Sequence, residues 1–189
     1  MLIPPPTITD ATGHRQFACS PAAVLAFIVN ERDELLLLSH PNRSGCWEVV
    51  NGALEAEETI LDGVLWEVRE EVGPAVRVRP LGVLHAYTFA YDAQVRSMLS
   101  LCYLLAYEGG QVVPGDDMVG SQYRWWTRSQ FTAQSPRLLV PRDQPWLLGR
   151  AIELYRLWQA SSPDLQPPFD PAARNKHQLE GQRGTTDLA

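Results

Sequence analysis

Three glutamates in the middle of the chain are spaced so that they could hold a metal ion. Glu67, Glu70 and Glu71 lie three and four residues apart, and side chains at that separation are neighbours on an α-helix. Like charges at this spacing repel each other by about 0.2–0.5 kcal/mol per pair. No lysine occurs between Gly52 and Pro74 to compensate them. Carboxylate oxygens suit hard cations, so the cluster predicts a site for Mg²⁺ or, as second choice, Mn²⁺.

The segment that carries these glutamates also predicts the helix that would position them. Its apolar residues fall on one stripe at about 100° per residue, separate from the three carboxylates. The stripe consists of Leu61, Val64, Leu65, Val68 and Val72. We expect the helix to begin near Glu57 or Glu58, because acidic residues in a first turn suit the helix dipole. We expect it to end at Gly73 and Pro74, because glycine caps a helix and proline cannot continue it.

The stretch from Gly52 to Pro74 resembles the signature of the Nudix hydrolase family, G-x5-E-x7-R-E-U-x-E-E-x-G-U, in which U is a bulky aliphatic residue. The matching positions are Gly52, Glu58, Glu67, Val68, Glu70, Glu71 and Gly73. Two constrained positions depart from the signature. Trp66 stands where the family has arginine, and Pro74 stands where it has an aliphatic residue. The resemblance implies the Nudix fold over about residues 20–160.

The resemblance also implies a role for each matching residue. Glu70 and Glu71 would be the principal metal ligands, and Glu67 would be either a ligand or the general base. Glu58 would either orient the start of the helix or reach the metal through water. Gly52 would let the backbone approach a pyrophosphate. The reaction would be attack of water on the diphosphate linkage of a nucleotide, a sugar nucleotide or a dinucleoside polyphosphate.

Further candidate residues lie outside the signature. In the family an additional acidic ligand often comes from the loop before the last strand, where this chain has Asp116 and Asp117, with Glu108 behind them. Arg43 could hold a terminal phosphate, because guanidinium groups bind phosphate oxygens in pairs. Tyr91 could stack on a base. It lies 17 residues after the signature, in a position similar to that of a tyrosine in dinucleoside polyphosphate hydrolases.

Trp66 is the departure that bears most on catalysis. In the family the arginine at this position pairs with a glutamate of the signature and orients it, whereas an indole carries no charge and a single N–H donor. Arg69 lies on another side of the helix and is a poor replacement. Three outcomes stay open. A distant arginine such as Arg43 or Arg124 substitutes, hydrolysis persists at a reduced rate, or the site binds a nucleotide without hydrolysing it.

These observations give two main hypotheses and a weaker third. The first is a metal-dependent pyrophosphohydrolase, and the second is a non-catalytic Nudix-fold module that senses a nucleotide. The segment 161–189 is too short and too polar to form an appended DNA-binding domain, which disfavours the sensor. The third hypothesis is a diphosphate isomerase of the isoprenoid type, which shares the fold. It would need Cys46 as its catalytic cysteine.

The order of the remaining elements predicts an α+β fold. Apolar runs separated by polar turns predict one hairpin before the glutamate helix and a second after it, with a bend at Pro80 and Gly82. A last helix is predicted over 145–158. The resemblance makes this an α/β/α sandwich, a mixed β-sheet between helices. The predicted divisions are an irregular N-terminal arm (1–20), one Nudix domain (21–160) and a flexible C-terminal tail (161–189).

Composition limits the remaining classes. The chain has 189 residues, of which 45% are hydrophobic, enough for one domain with a core. The net charge of −6 argues against a nucleic-acid-binding surface. Three scattered cysteines fit inert thiols, and no apolar run is long enough to span a bilayer. We therefore expect a cytoplasmic protein that acts on a small nucleotide derivative, without nucleic acid or membrane as partner. The resemblance favours a homodimer.

Overall fold

The computed structural model describes residues 6–56, 58–142 and 144–161, except for the side chain of Asp117. The strands are β1 (Thr7–Thr9), β2 (Gln16–Ala18), β3 (Ala22–Val29), β4 (Leu35–Ser39), β5 (Cys46–Glu48), β6 (Val50–Ala53), β7 (Arg77–Phe89), β8 (Met98–Gly109), β9 (Tyr123–Trp126) and β10 (Arg137–Val140). The helices are α1 (Ile60–Glu71), α2 (Arg128–Gln134) and α3 (Trp146–Ala160), and Asp116–Met118 form a 3-10 turn.

The strands β3 to β10 form a mixed sheet, as the sequence predicts. Its order is β10-β5-β4-β3-β8-β7, with β6 added to β3 and β9 added to β4. The parallel neighbours are β3 with β8 and β10 with β5, and the other pairs are antiparallel. Because β6 pairs with β3 from Ala53 opposite Ala23 to Val50 opposite Ala26, Gly52 is held opposite Val24 in the middle of the sheet.

Helices cover both faces of this sheet, which confirms the predicted sandwich. On one face, Val64 and Val68 of α1 and its C-cap Val72 pack with alternate residues of β3 such as Val24 and Ala26. We call this layer the α1-side core. On the other face, α3 packs on the opposite residues of the same strands, and we call this layer the α3-side core. The side on which a strand residue lies can therefore be read from the core it joins.

The glutamate helix begins later than predicted. α1 starts at Ile60, and Thr59 is its N-cap, because its hydroxyl oxygen accepts a hydrogen bond from the Asp62 N–H (3.2 Å). The expected start at Glu57 or Glu58 is therefore wrong by two or three residues: threonine can satisfy an orphan donor of the first turn, and acidic composition alone does not fix the boundary. The end agrees with prediction, since Gly73 follows the helix with φ of +100°.

The N-terminal arm is not wholly irregular, in contrast to the expectation for residues 1–20. β1 and β2 pair as a small antiparallel hairpin, with Thr7 opposite Ala18. Its turn is closed by the Asp10 carboxylate, which accepts hydrogen bonds from the Thr12 hydroxyl and from two backbone N–H groups. The Thr12 bond is the main reason that the pKa of Asp10 is lowered. Strands of three exposed residues carry too little alternation to be recognised in a sequence.

The two predicted hairpins are confirmed, whereas a strand at the edge of the large sheet was not predicted. β3 and β4 pair through Val29 and Leu35, and β7 pairs with β8 along its length, with register shifts on both sides of Gly82. The expected bend at Pro80 and Gly82 is thus real. The sequence analysis did not predict β10, which adds parallel to β5 at the sheet edge. The predicted tail lies, beyond Ser161, outside the described residues.

Candidate functional site

Gly52 lies against the Glu67 side chain at the predicted site. An ideal Cβ atom placed on Gly52 would lie 1.8 Å from Oε1 of Glu67, far inside van der Waals contact. The missing side chain of Gly52 thus leaves the room that the Glu67 carboxylate occupies, and a Cβ there would displace that flexible side chain. The fold thus brings together the first glycine of the signature and its central glutamate, which lie 15 positions apart in the sequence.

Glu71 is held by β6, the strand that contains Gly52. It is 4% exposed, and its Oε2 accepts a hydrogen bond from the backbone N–H of Asn51 (3.3 Å). The Asn51 side chain is turned back on the chain, because its Nδ2 donates to the carbonyl of Val49 (2.9 Å). A carboxylate so deeply buried is stable only when charge or hydrogen bonds compensate its lost hydration. The sequence analysis did not foresee the Asn51 N–H, because no residue-type pattern marks a backbone donor.

Glu70 differs from its two neighbours. Its side chain is half-buried and makes no hydrogen bond or ion pair to the residues that the structure describes. Over those same residues, no three acidic, histidine or cysteine side chains are grouped so as to hold a metal ion. Glu67 and Glu71 instead face the main chain of β6. The donor chemistry nevertheless fits a hard divalent cation, because all three side chains offer carboxylate oxygens on one end of one helix.

Glu58 lies just before the helix and shapes its approach. Its Oε2 accepts a hydrogen bond from the backbone N–H of Glu55 (3.1 Å), and its own N–H donates to the Glu55 carbonyl (3.3 Å). An ideal Cβ placed on Gly63 would lie 3.4 Å from the same oxygen and 2.7 Å from Cδ1 of Leu54. Glu58 therefore closes the turn that leads to α1. This arrangement favours the orienting role among the two that the resemblance left open.

The acidic loop after β8 reaches the end of α1. The Val113 N–H donates to the Val72 carbonyl (3.0 Å), and the Gly115 N–H donates to the Glu71 carbonyl (3.2 Å). Asp116 follows at once, exposed and with φ of +48°. The structure thus brings the loop that carries Asp116 to the glutamates, and it does not describe the side chain of Asp117. Glu108 is engaged elsewhere, in an ion pair with Arg79 (2.9 Å).

Arg43 and Tyr91 have no contact with the glutamates among the described residues. Arg43 lies in the turn between β4 and β5, where its N–H donates to the His40 carbonyl (3.3 Å). Tyr91 lies in the turn between β7 and β8, is 68% exposed, and bonds through its N–H to the Val95 carbonyl (2.9 Å). Their substrate-binding roles stay predictions of the sequence.

Trp66 is half-exposed on α1. The structure excludes Arg124 as the residue that replaces the arginine of the signature. Arg124 lies over the ring of Trp126, with its Cζ 4.1 Å from the ring centroid, and donates to Oε1 of Gln134 (3.0 Å). Trp126 belongs to the α3-side core, so Arg124 projects from the face opposite α1. The suggestion that Arg124 replaces the arginine of the signature is therefore wrong. The next residue, Trp125, packs in the α1-side core, and neighbouring residues of a strand lie on opposite faces. This alternation is the sequence signal that could have placed Arg124 on the other face.

Glu48 is an acidic residue to which the sequence analysis gave no role. It is 6% exposed, and it lies opposite Leu38 where β5 pairs with β4. Because Leu38 packs in the α1-side core and directly paired residues share a face of the sheet, Glu48 projects toward the layer that contains α1. A glutamate in an otherwise apolar strand is the sequence signal that could have drawn attention to it.

The cysteines do not favour the isomerase hypothesis. Cys46 is 2% exposed and Cys102 is fully buried, whereas Cys19 is partly accessible. Burial raises the pKa of the Cys102 thiol to about 12. A buried thiol that keeps its proton is a poor nucleophile, because the thiolate is the reactive form. Cys46, the cysteine that the isomerase hypothesis requires, is closed to solvent, and this burial argues against the hypothesis.

The raised pKa of Cys102 predicts a loss of stability at high pH. Above the ordinary thiol pKa of 9.0, Cys102 ionises in the unfolded chain but stays protonated in the folded chain until about pH 12. Ionisation of Cys102 therefore leaves the free energy of unfolding unchanged below pH 9. Above pH 9 it lowers that free energy by about 1.4 kcal/mol per pH unit. Urea unfolding from pH 8 to pH 11 should show this slope. In Cys102→Ala the slope should be shallower, and an equal slope in both proteins would contradict the prediction.

A mixed sheet between helices, with glutamates of one helix set against a glycine-containing strand, is the arrangement that the resemblance implied for a Nudix-type protein. The sequence model of the NUDIX domain family matches residues 20–148 of this chain, from just before β3 to the first turn of α3. The chain belongs to the Nudix family. None of the helices in the described part of the chain combines the length and the apolar composition needed to cross a bilayer.

Two curated relatives have different named substrates. A Photobacterium profundum protein named NAD-capped RNA hydrolase NudC is 27% identical over 124 residues, which are 65% of this chain and 43% of that protein. A Methanocaldococcus jannaschii protein named ADP-ribose pyrophosphatase is 27% identical over 105 residues, 54% of this chain and 61% of that protein. The chain thus spans less than two thirds of the length of either relative.

Solved structures show the same fold at low sequence identity. An ADP-ribose pyrophosphatase from Streptococcus suis superposes with a TM-score of 0.57 at 20% identity, covering 73% of this chain and 93% of that chain. A NUDIX hydrolase from Nitrosomonas europaea superposes with a TM-score of 0.57 at 17% identity, covering 86% and 83%. These likenesses establish the fold of this chain.

Proposed function

We propose that this protein hydrolyses a diphosphate linkage in a nucleoside diphosphate derivative, with Mg²⁺ or Mn²⁺ as cofactor. The observation that carries the proposal is the contact of α1 with β6. There the room at Gly52 holds the Glu67 carboxylate, and the Asn51 N–H holds the Glu71 carboxylate. The glycine lets the acidic helix face pack closely on the strand, and that face provides oxygen ligands for a cation.

Glu70 and Glu71 would hold the cation, together with Glu67 where that residue is not the general base. When bound, the cation neutralises charge that develops on the phosphate oxygens and lowers the pKa of water. The protein supplies the carboxylate that takes the proton from the attacking water, and Glu67 is our candidate. Glu70 is the ligand candidate with no protein partner to displace among the described residues, so it can accept a cation without losing a hydrogen bond.

The names of the relatives direct the choice of substrates. ADP-ribose and NAD-capped RNA both contain a diphosphate between two ribose units, which is the linkage that the proposal requires. Recognition of the remainder of the substrate would fall to residues outside α1, such as Arg43 and Tyr91. The net charge of −6 still favours a small nucleotide derivative over a nucleic acid. A cytoplasmic location and a homodimer stay predictions of the sequence.

The proposal is tested by phosphate release, after a coupled phosphatase, from a panel of compounds. The panel contains ADP-ribose, NAD, NAD-capped RNA, sugar nucleotides, dinucleoside polyphosphates and nucleoside triphosphates. Each reaction is run with Mg²⁺, with Mn²⁺ and with EDTA. We expect turnover of at least one diphosphate that depends on the cation. Binding of these compounds without turnover of any of them would instead support the sensor hypothesis, which Trp66 favours.

Trp66→Arg tests whether the missing arginine of the signature slows the proposed hydrolysis. Positions 66 and 70 are i and i+4 on α1, so an arginine at 66 is a neighbour of Glu70 and can orient its carboxylate. We expect kcat to rise at least about twofold, the equivalent of a pairing energy near 0.5 kcal/mol. Trp66 is 50% exposed, so the fold should tolerate the change.

The control for this prediction is Trp66→Leu, which removes the indole without adding a charge. Steady-state kinetics of the wild type and both variants are compared on the best substrate of the panel. A gain in both variants would show that the indole obstructs the site and that the new charge is not the cause. No change in either would show that position 66 does not influence Glu70 in this protein.

A further inference from the structure

We infer that the loop Val112–Met118, which we call the clamp loop, fixes the C-terminal end of α1, and that Gly115 is a positioning residue for Glu70 and Glu71. The inference rests on the proposed function, because it assigns the loop to the site formed by those glutamates. It concerns how the site is held together, which neither the signature nor the family match addresses.

The clamp loop supplies hydrogen bonds that the helix itself lacks. The last four carbonyls of an α-helix have no donor within the helix. Here the Glu71 carbonyl accepts from the Gly115 N–H (3.2 Å), and the Val72 carbonyl of the C-cap accepts from the Val113 N–H (3.0 Å). One of the two bonded carbonyls belongs to a proposed ligand, so the loop holds its main chain directly.

Both ends of the clamp loop are anchored in the core. Val112 is 6% exposed and Met118 is 3% exposed, and both pack in the α1-side core with Val68 and Val72. Withdrawal of the loop would bring these two side chains into water. Burying such a side chain stabilises the folded state by about 1.5–3 kcal/mol. The docked position of the loop is therefore its stable position.

Gly115 lies close against the main chain at the end of the helix. An ideal Cβ placed on it would lie 2.7 Å from the carbonyl oxygen of Glu70, which is backbone and cannot turn aside. The φ of Gly115 is −127°, an extended conformation that any residue can adopt. Glycine is therefore needed at this position for space and not for backbone freedom. The nearest obstacle to a side chain is the main chain of a proposed metal ligand.

These contacts couple the loop to the cation. If the clamp loop fixes Glu70 and Glu71 in the arrangement that binds a metal, the metal must in turn stabilise the docked loop, because coupling between two binding events is reciprocal. Asp116 directly follows Gly115, so the same docking would also deliver that carboxylate to the site. Positioning by Gly115 does not require Asp116 to be a ligand.

The variant that tests the inference is Gly115→Ala, with Gly149→Ala as its matched control. A Cβ on Gly149 would meet the Arg128 Nε at 3.5 Å, an ordinary contact on α3 and on the other face of the sheet. We expect Gly115→Ala to speed amide exchange at Val113 and to weaken Mn²⁺ binding, measured by electron paramagnetic resonance, by about 10-fold or more. At saturating Mn²⁺, kcat should fall more than KM changes. The control should match the wild type in all three.

A second measurement uses the wild-type protein alone, and so it does not depend on the variant folding. Saturating Mg²⁺ should slow amide exchange in the clamp loop and leave exchange in α3 unchanged. Unchanged loop exchange, or faster exchange in Gly115→Ala with wild-type Mn²⁺ affinity, would overturn the inference and leave the proposed function intact. A wild-type protein that neither binds Mn²⁺ nor turns over any substrate would remove the proposed function and the inference with it.

Discussion

Replacement of Glu70 by glutamine is expected to lower kcat by about 10²–10⁴-fold and to leave the fold unchanged. The Glu70 side chain makes no hydrogen bond or ion pair to the described residues, so no folded-state contact is lost when its charge is removed. Glutamine has nearly the same shape, and the free energy of unfolding should change by no more than about 0.5 kcal/mol. Mn²⁺ affinity should fall together with kcat, because a neutral amide oxygen is a weaker ligand than a carboxylate.

The comparison needs a variant that removes the same charge elsewhere. Glu31→Gln is suitable, because Glu31 is exposed in the turn between β3 and β4 and lies outside α1 and its signature. Circular dichroism melting, Mn²⁺ titration and steady-state kinetics of both variants separate a local effect from one of net charge. Activity of Glu70→Gln within about threefold of wild type would exclude Glu70 as a principal ligand. Equal losses in both variants would point to overall electrostatics.

The position of α1 was predictable because its evidence lies within one short segment. The predicted apolar stripe repeats at helical spacing, and three of its five residues, Val64, Val68 and Val72, are buried as expected, whereas Leu61 and Leu65 are partly buried. The exact start was not predictable from composition, because Thr59 provides a side-chain cap that outweighs acidic residues as a start signal. Strands such as β10 depend on a partner distant in sequence. Its four residues pair with β5, which lies about 90 positions earlier in the chain.

In the candidate site, too, the features within one segment were predictable and those that depend on distant segments were not. Glutamates on one helix share a face by spacing alone, so Glu67, Glu70 and Glu71 could be grouped without a structure. Their partners come from elsewhere in the chain, as backbone atoms that no residue type marks: the Asn51 N–H and the Gly115 N–H. The sequence therefore predicted candidate residues for the chemistry, and the structure was needed to show what holds their main chain and side chains.

Replacement of Gly52 by alanine should separate activity from stability. Gly52 lies in β6 opposite Val24, where alanine fits the strand, and the atoms that its Cβ would meet belong to the Glu67 side chain. That carboxylate is the end of a flexible side chain, so it moves and the strand does not. A displacement of about 1 Å at a catalytic group costs about 10²-fold in rate. We expect a loss of that size in kcat, with a melting temperature close to that of wild type.

Two explanations of Gly52 predict the same loss, and a double-mutant cycle distinguishes them. The glycine either gives the Glu67 carboxylate its room or lets the pyrophosphate approach the backbone. If the first is right, the effect of Gly52→Ala passes through Glu67, and Gly52→Ala combined with Glu67→Gln should be no slower than Glu67→Gln alone. If the second is right, the two losses in kcat/KM should multiply. The 1.8 Å distance from the missing Cβ to Glu67 leads us to expect the first result, and multiplicative losses would contradict it.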